Sequence, residues 1–210
     1  MNSKLVKASS ALTLFVLMAS VVASNAPAFA LNGHGTSYGR GPQFGGGLGG
    51  NAAGTYLTYN DGLKINGATF DISKYTTTIK TQKLYVNDQS DITVKIYNHQ
   101  DIQMVQHVVL FLDLHGKDPQ PYQTNTDIEW DKNSGVSKQD PNGLLKSVTS
   151  SVKYDGKIIY LTFHIVPSKT LDTSHLIVRA WDSNLSTSQV VVLNAIQIGY
   201  VPKAFSSVSH

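Results

Sequence analysis

The fold predicted by this sequence of 210 residues is all-β: an antiparallel two-sheet sandwich with immunoglobulin-like or Greek-key connections. Three observations carry that expectation. Apolar and polar residues alternate with period two in short runs between residues 55 and 200, as half-buried strands require. Turn-forming residues separate those runs. Outside the first thirty residues, apolar side chains nowhere recur at i, i+3, i+4 and i+7 over three turns, so no amphipathic helix is expected. A domain of this length suits about eight to ten strands.

At the amino end, Lys4 and Lys7 precede an apolar run from Ala11 to Val22 that is too short to span a bilayer. Ala28-Phe29-Ala30 follows with the small-x-small pattern of a secretory cleavage site, so residues 1–30 read as a signal peptide cut after Ala30. Removing Lys4 and Lys7 from the 17 basic residues leaves 15 against 14 acidic, a net charge of +1. Near-neutrality gives no footprint for nucleic acid or for an anionic membrane. The chain has no cysteine, which excludes disulfides, thiolate metal sites, cysteine nucleophiles and a thioether lipid anchor. The tail 201–210 has no second apolar span. The processed product is therefore expected to be secreted, extracellular or held at the cell surface by non-covalent contacts, with no stable membrane insertion.

Residues 31–54 hold ten of the 17 glycines and read as a flexible arm. Gly35-Thr36-Ser37-Tyr38-Gly39 has the spacing of a nucleophile elbow, and Gly45, Gly47 and Gly50 have that of a dinucleotide loop. Both motifs need a strand before and a helix after, and neither is expected here. Asn32-Gly33-His34 would chelate copper only with histidine third from a free amino terminus, and cleavage after Ala30 leaves His34 fourth.

The sandwich domain is expected over 55–200. In Ser90 to Asn98, Ile92, Val94 and Ile96 face one way and Thr93, Lys95 and Tyr97 the other. In His107 to His115, Val108, Leu110, Leu112 and Leu114 make one apolar face. In Lys157 to Val166, Ile159, Leu161, Phe163 and Ile165 point inward, and Tyr160, Thr162 and His164 outward. His175 to Trp181 and Gln189 to Ile198 are further strands. Thr55 to Tyr59, Ala68 to Ile72, Tyr75 to Val86 and Asp127 to Trp130 are weaker ones. Turns are expected at Asn60-Asp61-Gly62 and Asp182-Ser183-Asn184, and Asp155-Gly156 marks a hairpin between Leu144–Tyr154 and Lys157–Val166. Val166-Pro167 ends the second of these strands.

Candidate chemistry is sparse. His107 and His115 share the face opposite Val108, Leu110 and Leu112 with Asp113, and His164 faces outward on its own strand. Were these strands neighbours, imidazoles and a carboxylate would converge on copper or zinc, with His107 and His164 as the first ligands. No metal ligand is assigned, because no local histidine pair fixes a geometry. Asp127, Glu129, Asp131, Asn133 and Asp140 offer oxygen ligands for calcium, but the glycine is misplaced for a calcium loop, and a solvated acidic loop is expected. Ten tyrosines and two tryptophans could form a sugar-binding platform; Trp181 shares the parity of Ile177 and is expected to be at least partly buried. Asn184-Leu185-Ser186 is a glycosylation sequon in a predicted turn. Nothing in the spacing brings a serine, a histidine and an aspartate together, so no catalytic residue, no enzyme activity and no cofactor is assigned.

Asp140-Pro141-Asn142-Gly143-Leu144, Asp155-Gly156-Lys157 and the run Leu171-Asp172-Thr173-Ser174-His175-Leu176-Ile177-Val178-Arg179-Ala180-Trp181-Asp182 resemble exported β-sandwich proteins of ammonia-oxidising archaea, a group without assigned activity. The resemblance covers the C-terminal part of the domain. It implies a sandwich fold and a surface or secreted location, and it carries over no functional residue. Many of those proteins end in a hydrophobic sorting tail, which residues 201–210 lack.

The function expected from these features is that of an exported, non-enzymatic sandwich acting through protein–protein or matrix contacts at or outside the cell surface. Self-assembly would follow if the glycine-rich arm delivered Tyr56-Leu57-Thr58-Tyr59 to an open sheet edge of a second copy. The alternative is an extracytoplasmic module binding copper, zinc or carbohydrate.

Overall fold

A computed structural model describes residues 54–57 and 59–202. The signal peptide and its cleavage at Ala30, the glycine-rich arm up to Ala53 with its motif matches and His34, and the tail from Lys203 lie outside the described residues. Among those described, thirteen strands form. β1 (Thr55–Tyr56), β2 (Leu63–Ile65), β3 (Ala68–Phe70), β4 (Thr76–Thr78) and β5 (Gln82–Tyr85) are short. β6 (Ser90–Asn98), β7 (Val105–Leu114), β8 (Thr126–Asp131) and β9 (Gly135–Gln139) follow. The last four, β10 (Leu145–Asp155), β11 (Ile158–Pro167), β12 (Leu171–Asp182) and β13 (Thr187–Gly199), are long.

They make two sheets. The first runs β10-β11-β6-β2-β3, with β1 on the end of β6. The second runs β4-β13-β12-β7-β8-β9, with β5 also on β13. The chain crosses between sheets five times, so sequential segments alternate across the core. Ile92, Val94, Ile96, Leu161, Phe163 and Ile165 meet Val108, Leu110, Leu112, Ile128, Val178 and Val192 in one cluster, all fully buried. This is the alternation expected from the sequence: β6 and β11 bury every second residue along their length. Trp130 lies in the core and Trp181 is half-buried on the outer face.

The β10–β11 hairpin closes between Asp155 and Ile158, leaving Gly156-Lys157 as a two-residue loop. Gly156 has φ +56° and Lys157 does not have a positive φ, the sign pattern of a type II′ turn.

Two features depart from the expected pattern. The second sheet is mixed rather than antiparallel, because β4 and β5 pair parallel to β13. After β3 the chain leaves the first sheet for the β13 edge of the second, and it arrives there running in the direction of β13. Such a pair needs a crossover rather than a hairpin, which no local turn signal announces.

The second departure is in β7. Alternation puts Leu112 and Leu114 on one face, but Asp113 has φ +54° and reverses the pleat. Leu114 therefore packs with Ile177 and Val191 on the outer face, beside Phe111 and Leu193. Asn194 of β13 has φ +56°, and both strands slip register against β12 near His175. Side chains of β12 replace the lost ladder bonds. Leu114 N–H donates to Ser174 Oγ at 3.0 Å, and Ser174 Oγ donates to the His175 carbonyl at 2.7 Å. His175 Nδ1 accepts from Asn194 N–H at 2.9 Å, so its proton is on Nε2, which donates to the Gly116 carbonyl at 2.8 Å.

Candidate functional site

Strand pairing fixes a row of three side chains on the outer face of the first sheet. β6, β11 and β10 are neighbours, with His164 directly opposite Asp91 and Ser151 two residues beyond Thr149, which is opposite His164. His164 lies in β11 between the core residues Phe163 and Ile165, so its ring must leave on the solvent side. Its Nδ1 is 2.7 Å from Asp91 Oδ1 and its Nε2 is 2.9 Å from Ser151 Oγ. A carboxylate only accepts, so Nδ1 carries the proton and Nε2 is left to accept from the serine hydroxyl.

Asp91 is held in turn: Gln89 Nε2 donates to Oδ1 at 3.1 Å, and Asp91 N–H donates to Asn66 Oδ1 at 2.8 Å. Burial pushes the Asp91 carboxyl up. The bonds from His164 and Gln89 outweigh that and hold it below its ordinary value. Sequence spacing brought no serine, histidine and aspartate together; here a serine, a histidine and an aspartate separated by up to 73 positions are aligned by cross-strand register.

The metal candidates do not converge. His107 is on the outer face of β7 in the second sheet and His164 on the outer face of β11 in the first, so the whole core separates them. This corrects the expectation that both belong to one copper or zinc site. His107 Nδ1 lies 3.0 Å from Glu129 Oε1 and 3.2 Å from Asp131 Oδ2. Its ring stacks on Trp181, its cross-strand partner, at a centroid distance of 4.7 Å. His115, about 25 Å further along the strand, pairs instead with Asp113 through Nε2 at 3.1 Å. Its Nδ1 bonds to the Thr173 carbonyl at 3.2 Å. Among the described residues no group of three or more histidines and carboxylates is arranged to hold a metal ion.

The carboxylates considered for calcium are engaged separately. Asp131 Oδ1 accepts from the Asn133 and Ser134 amides and the Ser134 hydroxyl, closing its own turn. Asp140 accepts from the Leu144 and Leu145 amides in the next turn. Asp127 is raised by burial and by the neighbouring Glu129 charge. Asn184 sits exposed in the turn between β12 and β13, as its sequon requires, and its amide donates to Gln100 Oε1 at 3.2 Å.

Aromatic residues gather on the first sheet beyond the serine row. Tyr56 and Tyr97 rings lie 6.1 Å apart, and Lys95 Nζ is 4.6 Å from the Tyr59 ring while paired to Asp61 at 2.8 Å. Burial, with Tyr97, Asp61 and Tyr160 nearby, pushes the Tyr59 phenol up to about 12. A cleft of about 200 Å³ beside β5, lined by Leu84, Tyr85, Asp172 and Gln197, is smaller than a usual small-molecule site. Among the described residues no helix is long and apolar enough to cross a membrane. No protein-family model matches the chain, and no curated protein matches its sequence.

Proposed function

We propose that this chain is an exported, immunoglobulin-like sandwich that acts by contact at or outside the cell surface, and that copies associate edge to edge through β10. The observation that carries this reading is the edge of β10, eleven residues long and, among the described residues, paired only on its β11 side. The sandwich connectivity is supported by the order β10-β11-β6-β2 facing β13-β12-β7-β8, with the first strands divided between the two sheets. Export rests on the signal-like amino end and on the resemblance to exported archaeal proteins.

The two-residue loop makes Asp155 and Ile158 a hydrogen-bonded pair. Counting back by twos, Asp155, Lys153, Ser151 and Thr149 bond to β11, so the N–H groups of Tyr154, Val152, Ser150 and Val148 point to the open edge. An open edge of this kind accepts another strand. Antiparallel pairing of two copies about Ser150 sets Val148 opposite Val152 of the second copy. It sets Lys146 opposite Tyr154 and Lys153 opposite Ser147, so no like charges meet.

The test is Ser150→Pro, which deletes one outward N–H and no ladder bond within the chain. Sedimentation velocity across a concentration series should show association in the wild-type chain and a monomer in the variant. A wild-type chain that stays monomeric throughout, or a variant that associates as strongly, overturns the proposal.

A further inference from the structure

We propose that Ser151 is an acyl-acceptor site, its hydroxyl activated by His164 and that imidazole oriented by Asp91. The inference goes beyond the contact function and does not depend on it. A serine hydroxyl is a weak nucleophile by itself, and a positioned base is what activates it. Here the base is in place before any ligand arrives. Nε2 is 2.9 Å from Oγ, and the carboxylate 2.7 Å from Nδ1 fixes the tautomer that makes Nε2 an acceptor. All three groups stand on strands locked by register rather than on loops. Ser151 is exposed, while three-quarters of the His164 side chain is covered. The hydroxyl is therefore accessible to a donor and the ring is held.

In the step, Ser151 Oγ attacks the acyl carbon and the Oγ–C bond forms. The bond from that carbon to its leaving group breaks, and the leaving group takes the electron pair. The Oγ proton passes to His164 Nε2 and from there to the leaving group. No electrons are gained or lost overall.

The geometry also limits the donor. Strand N–H groups lie in the plane of the sheet, whereas Ser151 projects out of it, so β10 and β11 direct no pair of backbone donors at a carbonyl oxygen above the serine. The site thus suits activated donors, aryl esters or thioesters, whose leaving groups depart without help from an oxyanion hole.

The probe is p-nitrophenyl acetate at pH 7, with acetyl groups located by peptide mass mapping. Ser147 is an internal control, since it lies on the same face of the same strand and is paired across from Val166 rather than beside a histidine. Ser151 should acetylate about a hundredfold faster than Ser147, the low end of what a positioned base supplies (about 10²-fold or more). His164→Gln should bring Ser151 down to the Ser147 rate. Asp91 acts through the ring as a positioning residue. Asp91→Asn should slow Ser151 and abolish the downfield Nδ1 proton resonance of His164, and Asp91→Glu should restore both in part. Equal labelling of Ser147 and Ser151 in the wild-type chain, or an unchanged Ser151 rate in His164→Gln, overturns the proposal.

Discussion

Asp140 shows how one side chain can hold a turn that its sequence leaves unexplained. Its carboxylate accepts from Thr126 Oγ1 at 3.2 Å and the Leu144 amide at 2.8 Å on one oxygen. On the other it accepts from the Leu145 amide at 2.7 Å and Lys138 Nζ at 3.2 Å. Burial pushes this carboxyl up, but the two amides and the lysine outweigh burial and hold it below its ordinary value of 3.8. A carboxyl lowered by folding contributes stability above its unfolded pKa and loses it as pH falls through the folded value. Asp140→Asn keeps one acceptor oxygen and turns an NH₂ toward amide donors, so it should cost about 2–3 kcal/mol at pH 7. The gap between wild type and variant in urea unfolding should shrink steadily as pH is lowered from 5 to 3. His175 is the second such residue. Removing its ring in His175→Ala strands the Asn194 N–H and the Gly116 carbonyl, a loss of about 2–4 kcal/mol that guanidinium unfolding would read directly. Neither role was legible in the sequence. Asp140 read as an acidic-loop residue, because a carboxylate in a turn does not announce which amides will fold back onto it, and His175 as one histidine of seven, because the Gly116 carbonyl it satisfies lies 59 positions away.

The long strands were legible because burial on one face leaves a period of two that survives in β6 and β11 without interruption. The elements that were not legible are those whose pattern depends on something distant. β4 and β5 are three and four residues long, too short to alternate visibly, and their parallel partner is β13 at the other end of the domain. Leu114 changed faces through a single backbone torsion at Asp113. The serine row was hidden for a related reason: each member obeys its own strand's alternation, but only sheet order makes them neighbours.

β1 shows what a short element gains from such distant partners. Thr55 Oγ1 donates to Asp182 Oδ2 at 3.2 Å and accepts from Asn98 Nδ2 at 3.1 Å, and Leu57 N–H donates to Ser188 Oγ at 3.1 Å. Asp182, buried in β12, is completed by the Asn184 and Ser186 amides. Gly54 enters this corner at φ +129°, where a Cβ would overlap Ser186 Oγ. Two residues of strand thereby tie both sheets together, within the chain rather than across copies. Leu57 is fully buried, so Leu57→Ala should cost about 2–4 kcal/mol in thermal or denaturant unfolding. A truncation meant to remove the glycine-rich segment alone has to stop at Ala53.

At the scale of the whole molecule, the absence of cysteine allows a direct test of how two copies meet. Opposed residues in an antiparallel pair must both point their N–H groups toward the partner or both away, so a pairing with outward groups at even-numbered positions can slip only by two residues per chain. Among those registers, the one centred on Ser150 sets Val148 against Val152, and it alone places Ser150 next to itself, with Cα atoms about 5.5 Å apart. That separation is within the range a disulfide bridges. Ser150→Cys should therefore give a covalent dimer on mild oxidation, seen on a non-reducing gel. Ser147→Cys would place its two sulfurs about 20 Å apart along the paired strands and should stay monomeric. The net charge is +3 for the full sequence, and +1 on the expected cut after Ala30, which leaves little repulsion between copies, so dimer yield should hardly change between low and moderate salt. Equal cross-linking from both positions would point to random collision, and a salt-sensitive yield to a charged interface elsewhere.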